Sequence, residues 1–308
     1  MSRIYNVMAI LDISMKIDAI MYLGKSDTRE LGDRTMKFGY QTITWGGVVG
    51  HPGGVTSIKD LFYMTHGDTK AAIRDIAQAG YQGVEIFDGN LAEFADKAEE
   101  LLSVLAETNT ELVSVYTGAN FVYDEILDDE LYKIEQAALL AKKFGASRIV
   151  LGGGAKRPDG PKADDFKKVG RGLDMAADIA RDNGLESSYH PHLGTISETL
   201  DGFHQIMDSC SIGFCPDTAH LTASGIDPVA AIDKYGERLK HIHFKDLSNK
   251  TGNFTPLGEG DINFKEILSA IKRANYDSWL MVELDSYEGD PKKAAEISKR
   301  YLEQLFAN

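Results

Sequence analysis

Residues 111–153, ELVSVYTGANFVYDEILDDELYKIEQAALLAKKFGASRIVLGG, contain one complete copy of the pattern that runs through most of this chain. Two β-rich runs, residues 111–118 and 147–153, flank an amphipathic segment at 128–143, and Gly145 follows that segment where a helix would end. A strand, a helix and a second strand in this order form a βαβ unit with parallel strands. The stretch therefore predicts an α/β protein.

The same alternation extends in both directions from this unit. Six further strand candidates bring the total to eight, at 37–45, 83–87, 185–192, 211–220, 239–246 and 278–285. Asp68 precedes the first helical segment as a cap would, and the helical segments lie at 69–79, 91–107, 164–182, 227–235 and 264–274. Eight alternations with right-handed crossovers close most economically into one (β/α)8 TIM barrel, which we place at residues 36–308.

A doubly wound sheet is the alternative α/β architecture. It would show fewer strands and a glycine-rich first turn that binds a dinucleotide. The three glycines at 152–154 follow the fourth strand and lack the G-x-G-x-x-G spacing. We therefore predict a barrel with no nucleotide cofactor, whose catalytic groups lie at the carboxyl ends of the strands.

The net charge and the cysteine content restrict the classes of binding partner and the cellular compartment that we expect. The 47 Asp+Glu exceed the 33 Lys+Arg and give a net charge of −14, which leaves no basic surplus for a nucleic-acid partner. Asp12, Lys16 and Asp18 interrupt the apolar runs near the N-terminus, so no export signal or membrane span is predicted. Cys210 and Cys215 are too few for a disulfide framework, which indicates a reducing compartment, the cytoplasm.

Two segments do not fit the repeating pattern. Residues 1–35 precede Met36, a start-like methionine directly before the first strand, and we expect them to be an N-terminal extension, an oligomerisation arm or an over-long gene start. The connection at 46–68 is too long for a routine βα loop and is expected to be a lid or a subunit contact. We accordingly expect a homo-oligomer.

Polar side chains cluster at the predicted carboxyl ends of the later strands. Five of the eight histidines fall on three consecutive strand ends: His190 and His192, then His220, then His241 and His243. Asp217 and Glu283 lie at two of the neighbouring ends, on the sixth and eighth strands. Residues two apart on a strand share a face, so these side chains are expected to converge.

Imidazole and carboxylate ligands from neighbouring strands predict a metal site. The predicted ligand set is His190, Asp217, His243 and Glu283. This mixture suits Mn²⁺ or Co²⁺, with Fe²⁺ and Zn²⁺ as alternatives, better than Mg²⁺, which prefers oxygen throughout. For each residue alone, the alternative is a hydrogen-bonded core histidine or a capping aspartate.

Further residues are candidates for substrate contact or catalysis. Lys245 is placed to hold the charge of an enolate oxygen, the alternative being a surface lysine. Trp45 ends the first strand and is either a sugar-stacking face or a core lid. Glu85 and His220 are predicted to bind substrate, and Cys215 is interpreted as core.

These motifs resemble those of the xylose isomerase-like barrels of the sugar phosphate isomerase/epimerase superfamily, and within it the inosose dehydratases. The resemblance is carried by YHPHLGT at 189–195, DTAHL at 217–221, HIHFKD at 241–246 and FTPLGEGDINF at 254–264. The resemblance continues to Val282 and Glu283 and is specific across 185–305. It is weaker over 37–160, where it depends on Trp45 and on the GVE at 83–85.

The resemblance implies a divalent metal at the ends of strands five to eight. Its first ligand is commonly a glutamate, which aligns here with His190, and the others align with Asp217, His243 and Glu283. Two departures bear on the substrate. Inosose dehydratases have an acidic residue on strand four, where this chain has glycines at 152–153, and Glu-Gln at the position of Asp285 and Ser286.

The site and the resemblance together predict a metal-dependent lyase that dehydrates a sugar or keto-polyol through an enolate. Glu283 or His192 is expected to be the base, with Lys245 holding the enolate charge. The alternatives are a sugar isomerase or epimerase, the barrel subunit of a C-glycoside-cleaving lyase with a small partner subunit, and a sugar-binding module. Apurinic endonucleases share the fold, but the charge of −14 argues against that activity.

Overall fold

The computed structural model describes residues 29–31, 34–46 and 63–307, and its strands confirm the predicted barrel. The strands are β1 (Arg29–Leu31), β2 (Arg34–Gln41), β3 (Gly83–Phe87), β4 (Glu111–Gly118), β5 (Arg148–Gly152), β6 (Glu186–Tyr189), β7 (Gly213–Phe214), β8 (His243–Phe244), β9 (Asp246–Leu247), β10 (Phe254–Thr255) and β11 (Trp279–Val282). The barrel wall consists of β2 to β8 together with β11. β1 pairs antiparallel with β2, and β9 and β10 form a separate antiparallel pair.

The wall closes on itself. Successive strands from β2 to β7 pair in parallel, and β11 pairs with both β2 and β8. Across the seam between β7 and β8, parallel bridges join Phe214 to Leu239 and Asp217 to His243. The amide of His243 also donates to the carbonyl of Pro216 at 2.9 Å. The carboxyl ends of all eight strands therefore lie at the same end of the barrel.

The described helices are α1 (Thr69–Gln78), α2 (Asp88–Ala92), α3 (Ala98–Thr108), α4 (Leu127–Lys143), α5 (Asp165–Asp182), α6 (Leu200–Met207), α7 (Thr218–Ala223), α8 (Pro228–Tyr235), α9 (Phe264–Arg273) and α10 (Pro291–Ala307). α9 shows why such segments pack against the wall. It buries Phe264, Ile267, Leu268 and Ile271, which lie on one face at helical spacing. Asp68 caps α1 as expected, since its side chain accepts from the amides of Lys70 and Ala71.

Several predicted elements are wrong in extent. The strand expected at 37–45 ends at Gln41, and Thr42–Trp45 is a 3-10 helix. In the strand expected at 239–246, the first strand residues are His243–Phe244.

The segment expected to be one helix at 91–107 is two, α2 and α3, separated by a turn. The strand expected at 211–220 ends at Phe214, and its second half is the helix α7. Asp217 causes the change, because its side chain accepts from the amides of Ala219 and His220 and so begins a helix.

The long connection after β2 is tied to the barrel where it returns. The Asp88 carboxylate accepts from the amide of Tyr63, and the Asn90 side chain accepts from the amide of Thr65, both at 2.9 Å. Residues 47–62 of the predicted lid lie outside the described residues, as do residues 1–28 and 32–33 of the predicted extension. Among the helices that are described, none has the length and apolar character needed to cross a membrane.

Candidate active site

The four predicted metal ligands meet at the carboxyl end of the barrel. His190 directly follows β6, Asp217 lies just beyond β7, His243 begins β8 and Glu283 directly follows β11. Each residue offers a ligand atom, and these atoms all lie within 4.8 Å of one another. The side chains are almost completely buried, with Glu283 the most exposed at 5%. We call these four residues the ligand group.

The hydrogen bonding of the ligand group fits a cation. Each residue has at least one side-chain atom without a well-aligned hydrogen bond: His190 Nε2, Asp217 Oδ2, both ring nitrogens of His243, and Glu283 Oε2. His243 Nδ1 and Glu283 Oε2 lie in contact with each other. A buried polar atom left without a partner is costly, and a metal ion is one way to satisfy it. Two nitrogen and two oxygen donors suit a transition-metal dication. The residues present therefore fit the metal that the sequence predicts.

Asp217 has a separate task for each oxygen. Oδ1 accepts from the amides of Ala219 and His220, both at 2.8 Å, and thereby caps α7. Oδ2 is the unpartnered oxygen of the ligand group. Burial raises the pKa of Asp217 to about 7. A cation beside Oδ2 would favour the charged form that burial disfavours.

Lys245 is not a surface lysine, because its side chain is fully buried beside the ligand group. Its Nζ donates to Glu283 Oε1 at 3.0 Å and to Asp285, and lies 2.9 Å from His220 Nε2. Burial alone would lower the pKa of Lys245, but Asp285, Glu283 and Asp217 together raise it above its usual range. The residue is therefore an ammonium ion at neutral pH.

Glu283 faces Lys245 and His243. Burial alone would raise its pKa, but Lys245 and His243 hold the pKa of Glu283 well below the usual range. One oxygen accepts from Lys245 and the other contacts His243 Nδ1. Glu283 is thus a carboxylate whose two oxygens are both engaged within the site.

His192 and His220 lie together at one side of the ligand group, with their rings 3.8 Å apart. His192 Nδ1 lies 2.6 Å from the carbonyl oxygen of Leu193, which places the ring proton on Nδ1 and leaves Nε2 free to accept a proton. Burial, and next to it the charge of Lys245, lower the pKa of His192 to about 4. His192 is therefore a neutral imidazole at neutral pH.

The remaining two predicted contact residues lie at different depths. Glu85 has no exposed surface, and its carboxylate is within 3.2 Å of His241 and 3.0 Å of His243, inside the barrel. Trp45 ends a 3-10 turn after β2, donates from Nε1 to Asp75 at 3.0 Å and packs edge-on against Tyr40. A substrate contact by either residue stays a prediction.

Sequence reasoning missed two aromatic residues beside the site. The Tyr116 ring lies edge-on to the His190 ring at 5.4 Å, and its hydroxyl occupies the space over Gly152. The Phe254 ring lies 4.4 Å from Lys245 Nζ and 5.1 Å from the His220 ring. Tyr116 is near the carboxyl end of a predicted strand and Phe254 lies in a quoted motif. Position could therefore have flagged both as close to the site, but not the residues that they contact.

The sequence of the barrel matches a known protein family. Residues 73–305 match the sequence profile of the xylose isomerase-like TIM barrel. This chain belongs to that family. The match confirms the resemblance stated from the sequence.

Curated relatives of this xylose isomerase-like barrel include two inosose dehydratases. The one from Mesomycoplasma hyopneumoniae (strain 7448) is 30% identical over 268 residues, which cover 76% of this chain and 86% of that enzyme. The one from Lacticaseibacillus casei is 34% identical over 162 residues, which cover 46% of this chain and 54% of that enzyme. The second alignment thus spans about half the length of its relative.

Solved structures confirm the fold. A probable 3-DHS dehydratase involved in petrobactin synthesis from Bacillus anthracis superposes with a TM-score of 0.66 at 20% identity, covering 87% of this chain and 99% of that one. A 3-keto-D-glucoside 4-epimerase from E. coli gives a TM-score of 0.63 at 19% identity, covering 89% of this chain and all (100%) of that one.

Proposed function

We propose that this xylose isomerase-like barrel is a divalent-metal-dependent lyase that removes water from a cyclic or open-chain keto-polyol. The observation that carries the proposal is the ligand group, four buried residues whose ligand atoms all lie within 4.8 Å of one another, beside the Lys245 ammonium and the neutral His192. When bound, a divalent cation supplies polarisation of the substrate ketone. Mn²⁺ or Co²⁺ suits the mixed nitrogen and oxygen donors.

His192 is the base of the proposed reaction. Its Nε2 is free, whereas both oxygens of Glu283 are engaged, by Lys245 and His243. Of the two bases that the sequence suggested, His192 is the one that can take the proton next to the ketone without leaving other contacts. It removes that proton and the substrate becomes an enolate.

Lys245 stabilises the negative charge as it forms. Its ammonium is held between Glu283, Asp285 and His220, so its position requires no rearrangement during the reaction. The departing β-hydroxyl needs a proton, which we propose that the Lys245 ammonium supplies by exchanging one of its three contacts for the hydroxyl. Loss of that hydroxyl as water completes the elimination.

The substrate class rests on the relatives. Those named inosose dehydratase support a cyclic keto-polyol, and the neighbour named 3-DHS dehydratase supports loss of water as the reaction. The neighbour named 3-keto-D-glucoside 4-epimerase favours the second candidate, an isomerase or epimerase that returns the proton to the enolate. Both candidates begin with removal of a proton next to a ketone.

Measurements on the same protein separate these activities. The enzyme is stripped with EDTA, reloaded with Mn²⁺ or Co²⁺, and incubated in heavy water with a panel of inososes and keto-sugars. A lyase gives a new enone or dione absorbance, whereas an epimerase incorporates deuterium without it. A binding module gives neither signal, and turnover that survives complete chelation would contradict the proposal.

Two substitutions test the ligand group directly. Asp217→Asn and His243→Ala should each reduce the metal content measured by elemental analysis, and asparagine at 217 keeps a side chain able to cap α7. His204→Ala is the matched control, because His204 bonds to Tyr235 away from the site. A fully metallated His243→Ala protein would show that the ligand assignment is wrong.

The proposed function includes an oligomeric state, a compartment and a class of partner. We propose a homo-oligomer in the cytoplasm that acts on a small sugar or polyol and binds neither nucleic acid nor membrane. Copurification of a small partner subunit would instead favour the C-glycoside-cleaving lyase, whose elimination makes use of the same residues.

A further inference from the structure

A group of polar side chains lies inside the barrel next to His243. It consists of Glu85 on β3, Ser114 on β4 and His241 just before β8, and all three have no exposed surface. We call these residues the floor cluster. Side chains in the sealed interior of a TIM barrel are normally apolar packing, so a polar group there calls for a function.

Glu85 is the centre of the floor cluster. Its Oε2 accepts from the hydroxyl of Ser114 and lies 3.2 Å from His241 Nε2. Its Oε1 lies 3.0 Å from His243 Nε2. The carboxylate is thus fixed by β4 on one side and faces two imidazoles on the other.

The contact with His243 determines which ring nitrogen faces the ligand group. A carboxylate beside Nε2 favours a proton on that nitrogen, so the lone pair of the neutral ring is left on Nδ1. Nδ1 lies at the other edge of the ring, on the side of the ligand group, where it contacts Glu283. The ring therefore lies between two carboxylates, one on the interior side and one on the ligand side.

We propose that Glu85 is a positioning residue that fixes the tautomer and orientation of His243, so that Nδ1 binds the cation. This role rests on the proposed metal-dependent function. It differs from the substrate contact that the sequence suggested for Glu85, because the ring of His243 separates Glu85 from Glu283 and no part of Glu85 is exposed.

The test is Glu85→Gln, which keeps the shape of the side chain and removes its charge. Cobalt affinity, measured by competition with a chromophoric chelator, is expected to fall about 10- to 100-fold, as is typical when such a supporting partner of a metal-bound histidine is lost. The visible spectrum of bound Co²⁺ is expected to change as well, because the ring nitrogen that faces the metal is no longer fixed. A loss of stability alone would not alter that spectrum.

Asp88→Asn is the matched control. Asp88 is a buried carboxyl at the carboxyl end of the same strand, but its partners are Thr117, Tyr63 and Gly89. This variant is expected to bind Co²⁺ as the unchanged protein does, with the same spectrum.

A measurement on the metal-free protein distinguishes the two proposals. With ¹⁵N-labelled histidine, a downfield Nε2–H proton of His243 is expected in the unchanged protein and in Asp88→Asn, and not in Glu85→Gln. Absence of that resonance from the unchanged protein, or a Glu85→Gln protein with unaltered cobalt affinity and spectrum, would overturn the role of Glu85. A protein that shows the resonance but binds no divalent metal would refute the proposed function and leave the placement of the His243 ring intact.

Discussion

Replacing Gly152 with alanine tests how closely the barrel wall fits the side chains behind the ligand group. A Cβ at this position would lie 1.7 Å from Oη and 2.4 Å from Cζ of Tyr116. Carbon atoms in favourable contact are about 3.5 to 4.0 Å apart, so one of the two groups must move. Tyr116 has little room to do so, because the rings of Tyr63, Phe87 and His190 surround it with centroids 5.0 to 5.4 Å away.

The overlap sets the size of the effect. Overpacking a core costs about 1 to 3 kcal/mol, and an overlap of this depth against a confined ring belongs at the upper end. An unfolding entropy of about 2.1 cal/mol/K per residue means that a loss of about 3 kcal/mol lowers the melting temperature of a domain of this size by roughly 5 °C. Since the displaced ring packs against His190, we also expect the Gly152→Ala variant to bind Co²⁺ more weakly.

Urea and thermal unfolding of a double-mutant cycle provide the assay. Tyr116→Phe removes the atom nearest the new methyl group, so it should recover part of the stability in the Gly152→Ala background, with a coupling of at least about 1 kcal/mol. Gly39→Ala is the control in another barrel strand, where the nearest atoms belong to the flexible end of Met281 and a smaller loss is expected. If Gly152→Ala and Tyr116→Phe prove additive, the steric reasoning is refuted.

Three further predictions concern positions outside the ligand group. Arg157→Ala removes the bidentate partner of the Asp165 carboxylate and should lower the urea midpoint of unfolding. Arg181→Ala removes an exposed pair and should lower that midpoint less. Burial raises the pKa of Asp88 from 3.8 to about 6, so the folded protein binds this proton more tightly than the unfolded chain does. The free energy of unfolding should therefore fall by at most about 3 kcal/mol as the pH rises between these two values. Asp88→Asn should remove that fall, as measured by unfolding series at pH 4 and pH 7. Phe254→Ala should lower kcat/KM about tenfold in the dehydration assay and leave cobalt affinity unchanged, since the ring contacts Lys245 and no member of the ligand group; weaker cobalt binding would contradict this placement.

The barrel was predictable because its evidence is local and repeated. The strands at 83–87 and 111–118 have the bounds that the alternation predicts, and the carboxyl-end rule was sufficient to bring the ligand group together. The strand predicted at 211–220 was wrong because Asp217 follows a β-rich run but begins a helix. An aspartate is compatible both with a strand end and with a helix cap, and the β-rich run before Asp217 favoured the strand.

The depth of a residue along its strand was harder to predict than the end at which it lies. Glu85 is the third of five residues in β3, so it lies below the ends of the strands and beside the imidazole of His243. The contacts of Tyr116 and Phe254 depend on strands and loops far apart in the chain, which no local pattern records. Counting positions back from each predicted strand end does not separate Glu85 from the ligands, because Glu85, His190 and Glu283 each lie two residues before the predicted end of their strand.

Asp217 has a consequence for how the site could change during evolution. Because the same carboxylate begins α7 and offers Oδ2 to the ligand group, its rotamer is determined when the chain folds, before any ion arrives. A glutamate here would reach farther into the site but would lose the geometry that starts the helix, and a serine would start the helix but offer no charge. Selection for a different metal at this position would therefore be constrained by the local fold, whereas His190, whose side chain caps no helix, is open to exchange.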